Sequence, residues 1–148
     1  MSATNQRNEI DLAARSGEVE RVELFLNTGL DINSKNEKGH SILMLAAYNG
    51  HTNLVQFLIS KGADVNSVDH SGNSILMGVV FKGHRQIFDL LLNSGADLEL
   101  QNKKNQTALD TAIMFGKRDF IFKINKALNS DRSAGRLEQV KTWVNYLS

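Results

Sequence analysis

The chain has 148 residues, of which 41% are hydrophobic and none is cysteine, and its formal net charge is +1. This composition is typical of a folded domain, and it excludes extended disorder, disulfide bridges, cysteine–zinc sites and thiol catalysis. The polar N-terminus has no apolar signal-peptide core and no apolar run approaches the roughly 20 residues of a membrane span, so we expect a cytoplasmic protein without a membrane segment.

A period of 33 residues runs through most of the chain. The tetrapeptide S-I-L-M at residues 41–44 recurs at residues 74–77, and glycine recurs at the same interval. The glycine series is Gly17, Gly50, Gly83 and Gly116. A period of this length is typical of a stacked repeat protein. We divide the chain into units 1–35, 36–68, 69–101 and 102–129, followed by residues 130–148.

The second unit, residues 36–68, shows what each unit is expected to form. Ser41 is placed to cap the N-terminus of a short helix, and Gly50 suits a left-handed end to that helix. A second helix is predicted over residues 52–60, with one apolar face. Because one helix pair cannot bury both of its apolar sides, neighbouring units must stack.

The helix starts of the fourth and first units carry an acidic residue three positions after a polar one. Thr107 and Asp110 therefore predict a capping box, in which each residue satisfies a backbone N–H near the other. Asn8 and Asp11 suit the same interpretation in the first unit.

The period ends after Leu128. Residues 129–135 are polar and predict a linker, whereas residues 136–147 place apolar side chains, among them Trp143, on one helical face. Phe122 occupies a position that is polar in the other units, which suggests that something packs over it. We expect the helix over residues 136–147 to fold back and cap the array. The alternative is that this helix binds a partner or dimerises.

These segments together resemble the ankyrin repeat, and the chain is similar to small bacterial ankyrin proteins. The segments that match are residues 39–47, 50–51, 62–66, 83–84 and 95–98. The resemblance implies an all-α ankyrin-repeat solenoid of four stacked helix-turn-helix units with short β-turn fingers and a C-terminal capping helix. The chain departs from the family in having no proline, and Met44, Met77 and Asp110 replace the family's histidine.

The resemblance also implies where a partner binds, because ankyrin arrays bind proteins through the turn tips and the exposed side of each first helix. At the tips, this pattern selects Lys38, His40, His70, Asn73, Lys103 and Lys104. On the first helices, it selects Arg15, Tyr48, Asn49, Phe81, Lys82, Met114 and Phe115.

Four of these residues occupy one repeat position and should form a stripe along the concave face. They are Arg15, Tyr48, Phe81 and Met114. Arginine and aromatic side chains are enriched in binding hot spots, which favours a role in binding. The alternative is that the column packs partly against the neighbouring turn.

The histidines do not predict a metal site. His51 and His84 match the family's Gly-His position and are expected to bond backbone groups. His40 and His70 lie on neighbouring turns, but two imidazoles without a third ligand make a poor zinc site. The sequence also shows neither a phosphate-binding loop nor a nucleophile–base set, so we expect no cofactor, no metal and no enzymatic activity.

We therefore predict a non-catalytic protein-binding module that uses its turn tips and concave face. The alternative is a dedicated inhibitor or immunity-type protein that blocks one enzyme or toxin. Residues 102–148 carry 9 basic and 4 acidic side chains, a net charge of +5, which favours an acidic protein partner. Arginine is too sparse there for nucleic-acid binding to be expected.

Overall fold

The computed structural model describes the backbone of residues 2–147 and the side chains of residues 2–135. Over this range the backbone forms eight helices and no β-strand, with one antiparallel bridge between Val68 and Ser74. The helices are α1 (Ala3–Ser16), α2 (Val19–Asn27), α3 (Ile42–Tyr48), α4 (Thr52–Ser60), α5 (Ile75–Lys82), α6 (Arg85–Asn93), α7 (Ala108–Met114) and α8 (Arg118–Leu147). No helix in the described part of the chain is both long and apolar enough to cross a membrane.

The helices pack as pairs, and the pairs stack. Each odd-numbered helix contacts the even-numbered helix that follows it, and α1, α3, α5 and α7 contact one another in that order. Helices α2, α4 and α6 form the second row. Two ion pairs, Arg85 with Asp119 and Asp89 with Lys123, join α6 to α8 and extend this row. The predicted all-α solenoid of stacked helix pairs is therefore confirmed.

Small buried side chains allow the first helices to approach closely. Ala13, Ala46, Val79 and Ala112 occupy one repeat position, and all four are fully buried. In the second row, larger side chains fill the space, since Phe88 and Phe120 pack edge to face with their ring centroids 5.2 Å apart. Closely packed protein interiors have little room for extra methylene groups, so we expect the repeat position of Ala13, Ala46, Val79 and Ala112, the stacking column, to tolerate only small residues.

Most of the predicted helix ends are found. The Ser41 hydroxyl accepts from the Met44 backbone N–H at 3.2 Å, α4 spans the predicted residues, and Gly50 has a φ of 77°. The capping box of Thr107 and Asp110 is also confirmed. These ends are set by contacts within a few residues, which is why the sequence predicts them.

The helix start predicted at Asn8 is wrong. Helix α1 begins at Ala3, and the hydroxyl of Ser2 caps it by accepting from the Asn5 backbone N–H. The Asp11 carboxylate instead accepts from the Arg7 guanidinium at 2.8 Å and from the Asn36 amide at 2.8 Å. Asp11 therefore ties α1 to the first finger rather than capping its own helix.

The three fingers described, at residues 36–40, 69–73 and 102–106 in chain order, share one hydrogen-bond pattern. The side-chain oxygens of Asn36, Asp69 and Asn102 each accept from the backbone N–H groups two and four residues later. Neighbouring fingers are then joined, since the Lys103 N–H donates to the Ser71 carbonyl at 3.0 Å. These bonds hold each turn together and tie the second finger to the third.

The linker predicted over residues 129–135 is wrong, because these residues are helical and α8 runs without a break from Arg118 to Leu147. Residues 129–135 contain no proline, and a solvated polar sequence can continue an existing helix at modest cost. An unbroken helix does not turn back over the array, and Phe122 is 70% exposed, so the expectation that it is covered is also wrong. The predicted fold-back of residues 136–147 as a cap is therefore wrong. The side chains of residues 136–148, including Trp143, lie outside the described residues, and so do their predicted roles in partner binding and dimerisation.

Candidate partner-binding site

A groove of about 520 Å³ lies between α5, α7 and the second and third fingers. We call it the α5–α7 groove. It is lined by Tyr48, Asp69, Ser71, Asn73, Met77, Gly78, Phe81, Lys82, Asn102, Lys103, Lys104, Gln106, Thr111, Met114 and Phe115. The lining combines large apolar side chains from the helices with polar side chains from the finger tips.

Three large apolar side chains of the α5–α7 groove are about half exposed or more. Phe81 is 48% exposed, Met114 is 62% exposed and Phe115 is 50% exposed. The rings of Phe81 and Phe115 meet edge to face, with centroids 4.7 Å apart. Phe81 closes the last turn of α5 and Met114 the last turn of α7, so stacking of the two helices places them side by side.

Tyr48 forms one end of the α5–α7 groove by packing over Gly78. A methyl group at position 78 would lie 2.6 Å from Tyr48 Cδ1 and closer still to the rest of the ring edge. The tyrosine hydroxyl points toward the Ser74 carbonyl at 3.5 Å. Burial raises the pKa of Tyr48 well above its ordinary value and the nearby Asp69 raises it further, so the phenol stays protonated and uncharged.

The rim of the α5–α7 groove is basic. Lys82 ends α5, and Lys103 and Lys104 form the tip of the third finger. None of these three ammonium groups forms an ion pair with a side chain in residues 2–135. The acidic lining residue is Asp69, and its carboxylate already accepts from the Ser71 and Asn73 backbone N–H groups, both at 2.9 Å.

The structure brings eight of the predicted partner-binding residues into the α5–α7 groove: Tyr48, Asn73, Phe81, Lys82, Lys103, Lys104, Met114 and Phe115. Arg15 and Lys38 lie instead in a separate concavity of about 670 Å³ between α1 and the first finger. His40, Asn49 and His70 line neither concavity. The predicted stripe is thus divided, with three of its members together and Arg15 apart.

Residues 10–102 match a family model described as ankyrin repeats in three copies. The chain belongs to the ankyrin-repeat family. Ankyrin repeats are generally protein–protein interaction modules and are typically non-catalytic, so the family implies a protein partner for this chain. No curated protein matches the chain.

The two Gly-His histidines join neighbouring ankyrin units. His51 Nε2 lies 2.6 Å from the Arg15 carbonyl, and His84 Nε2 lies 3.1 Å from the Tyr48 carbonyl. Their predicted bonding to backbone groups is confirmed. The His84 contact also fixes the end of α3, from which the Tyr48 side chain reaches the α5–α7 groove.

His40 and His70 occupy different surroundings. His70 is exposed at the second finger tip, whereas His40 is half-buried with its ring edge to face with Tyr48, at 6.1 Å between centroids. Burial lowers the pKa of His40, which favours the neutral ring at pH 7. Among the described residues, no group of three or more potential ligands is placed to hold a metal ion.

The sequence did not predict several residues that line the α5–α7 groove. Met77, Gly78 and Thr111 line it, although they were not among the predicted binding residues. Gly78 carried the one usable signal, because a glycine inside a helical pattern often has a packing reason. Positions 12 and 45 of the same column are leucine, so a smaller residue in the third unit marks space for a neighbouring side chain.

Proposed function

We propose that this ankyrin protein binds a protein partner through the α5–α7 groove, with an apolar side chain of the partner seated against Phe81, Met114 and Phe115. The observation that supports this proposal is the clustering of these three exposed apolar side chains in a concave surface. Large apolar side chains grouped on a surface mark interaction sites, whereas scattered ones do not. Aromatic side chains in a desolvated centre also contribute most of the free energy of typical interfaces.

The finger tips complete this surface. Asn73, Lys103 and Lys104 stand beside the apolar cluster, where they can contact backbone or polar groups of the partner. Interfaces commonly combine an apolar centre with a polar rim. The fingers therefore contribute orientation and selectivity, and the α5–α7 groove contributes most of the affinity.

A more specific form of this function is that of a dedicated inhibitor or immunity-type protein, which blocks one enzyme or toxin. The exposed aromatic side chains of the concave face are concentrated in one groove, which favours one partner over several simultaneous ones. The number and stoichiometry of captured partners distinguish this form from a general adaptor.

The proposal is tested by affinity capture from native cells with three tagged chains: the wild type, the double variant Phe81→Ala and Phe115→Ala, and the control Phe122→Ala. Phe122 is a suitable control because it is exposed to a similar or greater degree but lies on α8 outside the groove. Truncation of a hot-spot aromatic typically costs about 2 kcal/mol, or roughly 30-fold in affinity.

We expect the wild type and the Phe122 variant to capture the same protein, and the double variant to lose it while retaining its helical circular dichroism spectrum. Capture that survives in the double variant would refute a role for the groove. Failure of the wild type to enrich any protein above the level of the double variant would do the same.

A further inference from the structure

We infer that the partner segment seated in the α5–α7 groove is acidic, with aspartate or glutamate residues flanking a large apolar side chain. This inference rests on the proposed function and adds the chemistry of the partner to it. It follows from the sign and position of the charges around the groove.

Three ammonium groups surround the apolar surface. Lys82 lies at the end of α5, while Lys103 and Lys104 lie on the third finger, so a segment in the groove has cations at both the helix and the finger. Asp69 offsets part of this charge, and because it is the single acidic residue of the lining, the three lysines leave the groove with a formal charge of +2. Carboxylates on the partner would meet a rim of matching charge, which fixes register and accelerates association.

The apolar surface sets a second requirement. A segment that offers only charge would leave Phe81, Met114 and Phe115 exposed and would bring them no stabilising contact. A partner side chain such as leucine, methionine or phenylalanine removes this surface from water, which stabilises the complex. The favoured ligand therefore combines one or more large apolar residues with neighbouring carboxylates.

A nucleic acid is less well matched to this surface. The lining contains lysine but no arginine, and arginine is the side chain that binds phosphate in a bidentate manner. Phe81 and Phe115 are also engaged edge to face with each other, which leaves no parallel platform for successive bases.

The test begins with a display library of random peptides of about 12 residues, a length that spans a groove of this size, selected on the full chain. A fluorescent copy of the best peptide is then titrated with four proteins: the wild type, Lys103→Glu with Lys104→Glu, Lys61→Glu with Lys126→Glu, and Phe81→Ala with Phe115→Ala. The variant Lys61→Glu with Lys126→Glu is the matched control, because it changes the net charge by the same amount at lysines that lie outside the groove.

We expect the selected peptides to carry aspartate or glutamate within three positions of a large apolar residue. Reversal of Lys103 and Lys104 should weaken binding about tenfold, since each rim ion pair accounts for roughly two- to fivefold. Reversal of the control pair should change affinity less than about twofold. Raising the salt concentration from about 50 to about 500 mM should reduce the affinity of the wild type toward that of the reversed variant.

The other outcomes separate the two proposals. Selected peptides with neutral or basic flanks that still require Phe81 and Phe115 would overturn the acidic segment and leave the proposed function standing. Peptides that bind the double phenylalanine variant equally well, or a selection without any groove-dependent peptide, would contradict the proposed function itself. If an oligothymidylate of similar length displaced the labelled peptide as effectively as the unlabelled peptide does, the inference would be overturned in favour of a general polyanion site.

Discussion

The packing of Tyr48 over Gly78 predicts two opposing effects of a Gly78→Ala substitution on the free energy of unfolding, and these effects can be measured separately. Replacing Gly78 with alanine removes a helix-interior glycine, which by itself stabilises a helix by about 1 kcal/mol. The new methyl group would, however, overlap the edge of the Tyr48 ring, with the Cδ1 atom only 2.6 Å away. Overpacking of this kind typically costs about 1–3 kcal/mol, so we expect a net loss of about 1 kcal/mol in the free energy of unfolding.

The sign should reverse when the ring is removed. In a Tyr48→Ala background the methyl group at position 78 meets no ring, so Gly78→Ala should increase the free energy of unfolding by about 1 kcal/mol. The difference between the two backgrounds is a coupling energy of about 2 kcal/mol, within the range found for residues in contact. A second helical glycine supplies the control, because a methyl group at Gly135 would meet nothing within 4 Å.

Urea unfolding of the wild type, both single variants and the double variant, followed by circular dichroism, measures this coupling. Gly135→Ala should have the same effect in both Tyr48 backgrounds. If Gly78→Ala changes stability by the same amount and in the same direction with and without Tyr48, the contact does not limit the size of residue 78. The explanation of this end of the α5–α7 groove would then be wrong.

Two further predictions concern the first finger. Arg7→Ala should lower the free energy of unfolding by about 2–4 kcal/mol in urea titrations, because the largely buried Asp11 carboxylate loses its cation and the Ser34 and His40 carbonyls lose their donor. Arg7→Lys keeps the charge but lacks the planar guanidinium, so it should recover only part of this loss. Full recovery would show that charge alone matters. Burial lowers the pKa of His40. The charges of Lys38 and Arg15 lower it further, whereas Asp69 and Asp11 oppose this shift. As the pH falls from about 7 to about 5, His40 is therefore protonated in the unfolded chain before it is protonated in the folded one, and the folded state loses stability. The wild type should therefore lose more stability over that interval than His40→Asn in parallel urea titrations, and equal losses would contradict the assignment.

The features that the sequence predicted correctly are those determined by neighbouring residues or by the repeat itself. Ser41 caps α3 through a backbone group three residues away, and the bounds of α4 follow from its apolar face. Stacking of the units follows from the period, because equivalent positions must occupy equivalent places in a solenoid. Each of these inferences needs only a short stretch of chain or its copy 33 residues later.

The errors arose where composition was used to decide conformation. Residues 129–135 are polar and exposed, which correctly predicts solvation but leaves open whether the backbone is helical. The predicted start of α1 is too late because it takes Asp11 as a capping residue, whereas the Asp11 carboxylate accepts from Asn36 of the next unit. Nothing in the first helix alone indicates a contact that only stacking creates.

The candidate site was predicted in part for the same reason. Repeat positions identified Phe81 and Met114 as neighbours, but the contact of Tyr48 with Gly78 depends on side-chain orientation across two units. The sequence selects the lysines of the third finger one by one, and their convergence on one rim follows from the finger contacts that the structure shows.

The location of the groove can be traced to two columns that vary while the stacking column does not. The column that stacks the first helices stays small and fully buried in all four units. The column of position 78 changes from leucine in the first two units to glycine and threonine in the last two, which opens space on the concave face. The column of position 81 supplies large apolar side chains beside that space. Because the fully buried column at positions 13, 46, 79 and 112 is kept while these two columns change, the concave face of this ankyrin fold can vary from unit to unit while the helix pairs remain stacked.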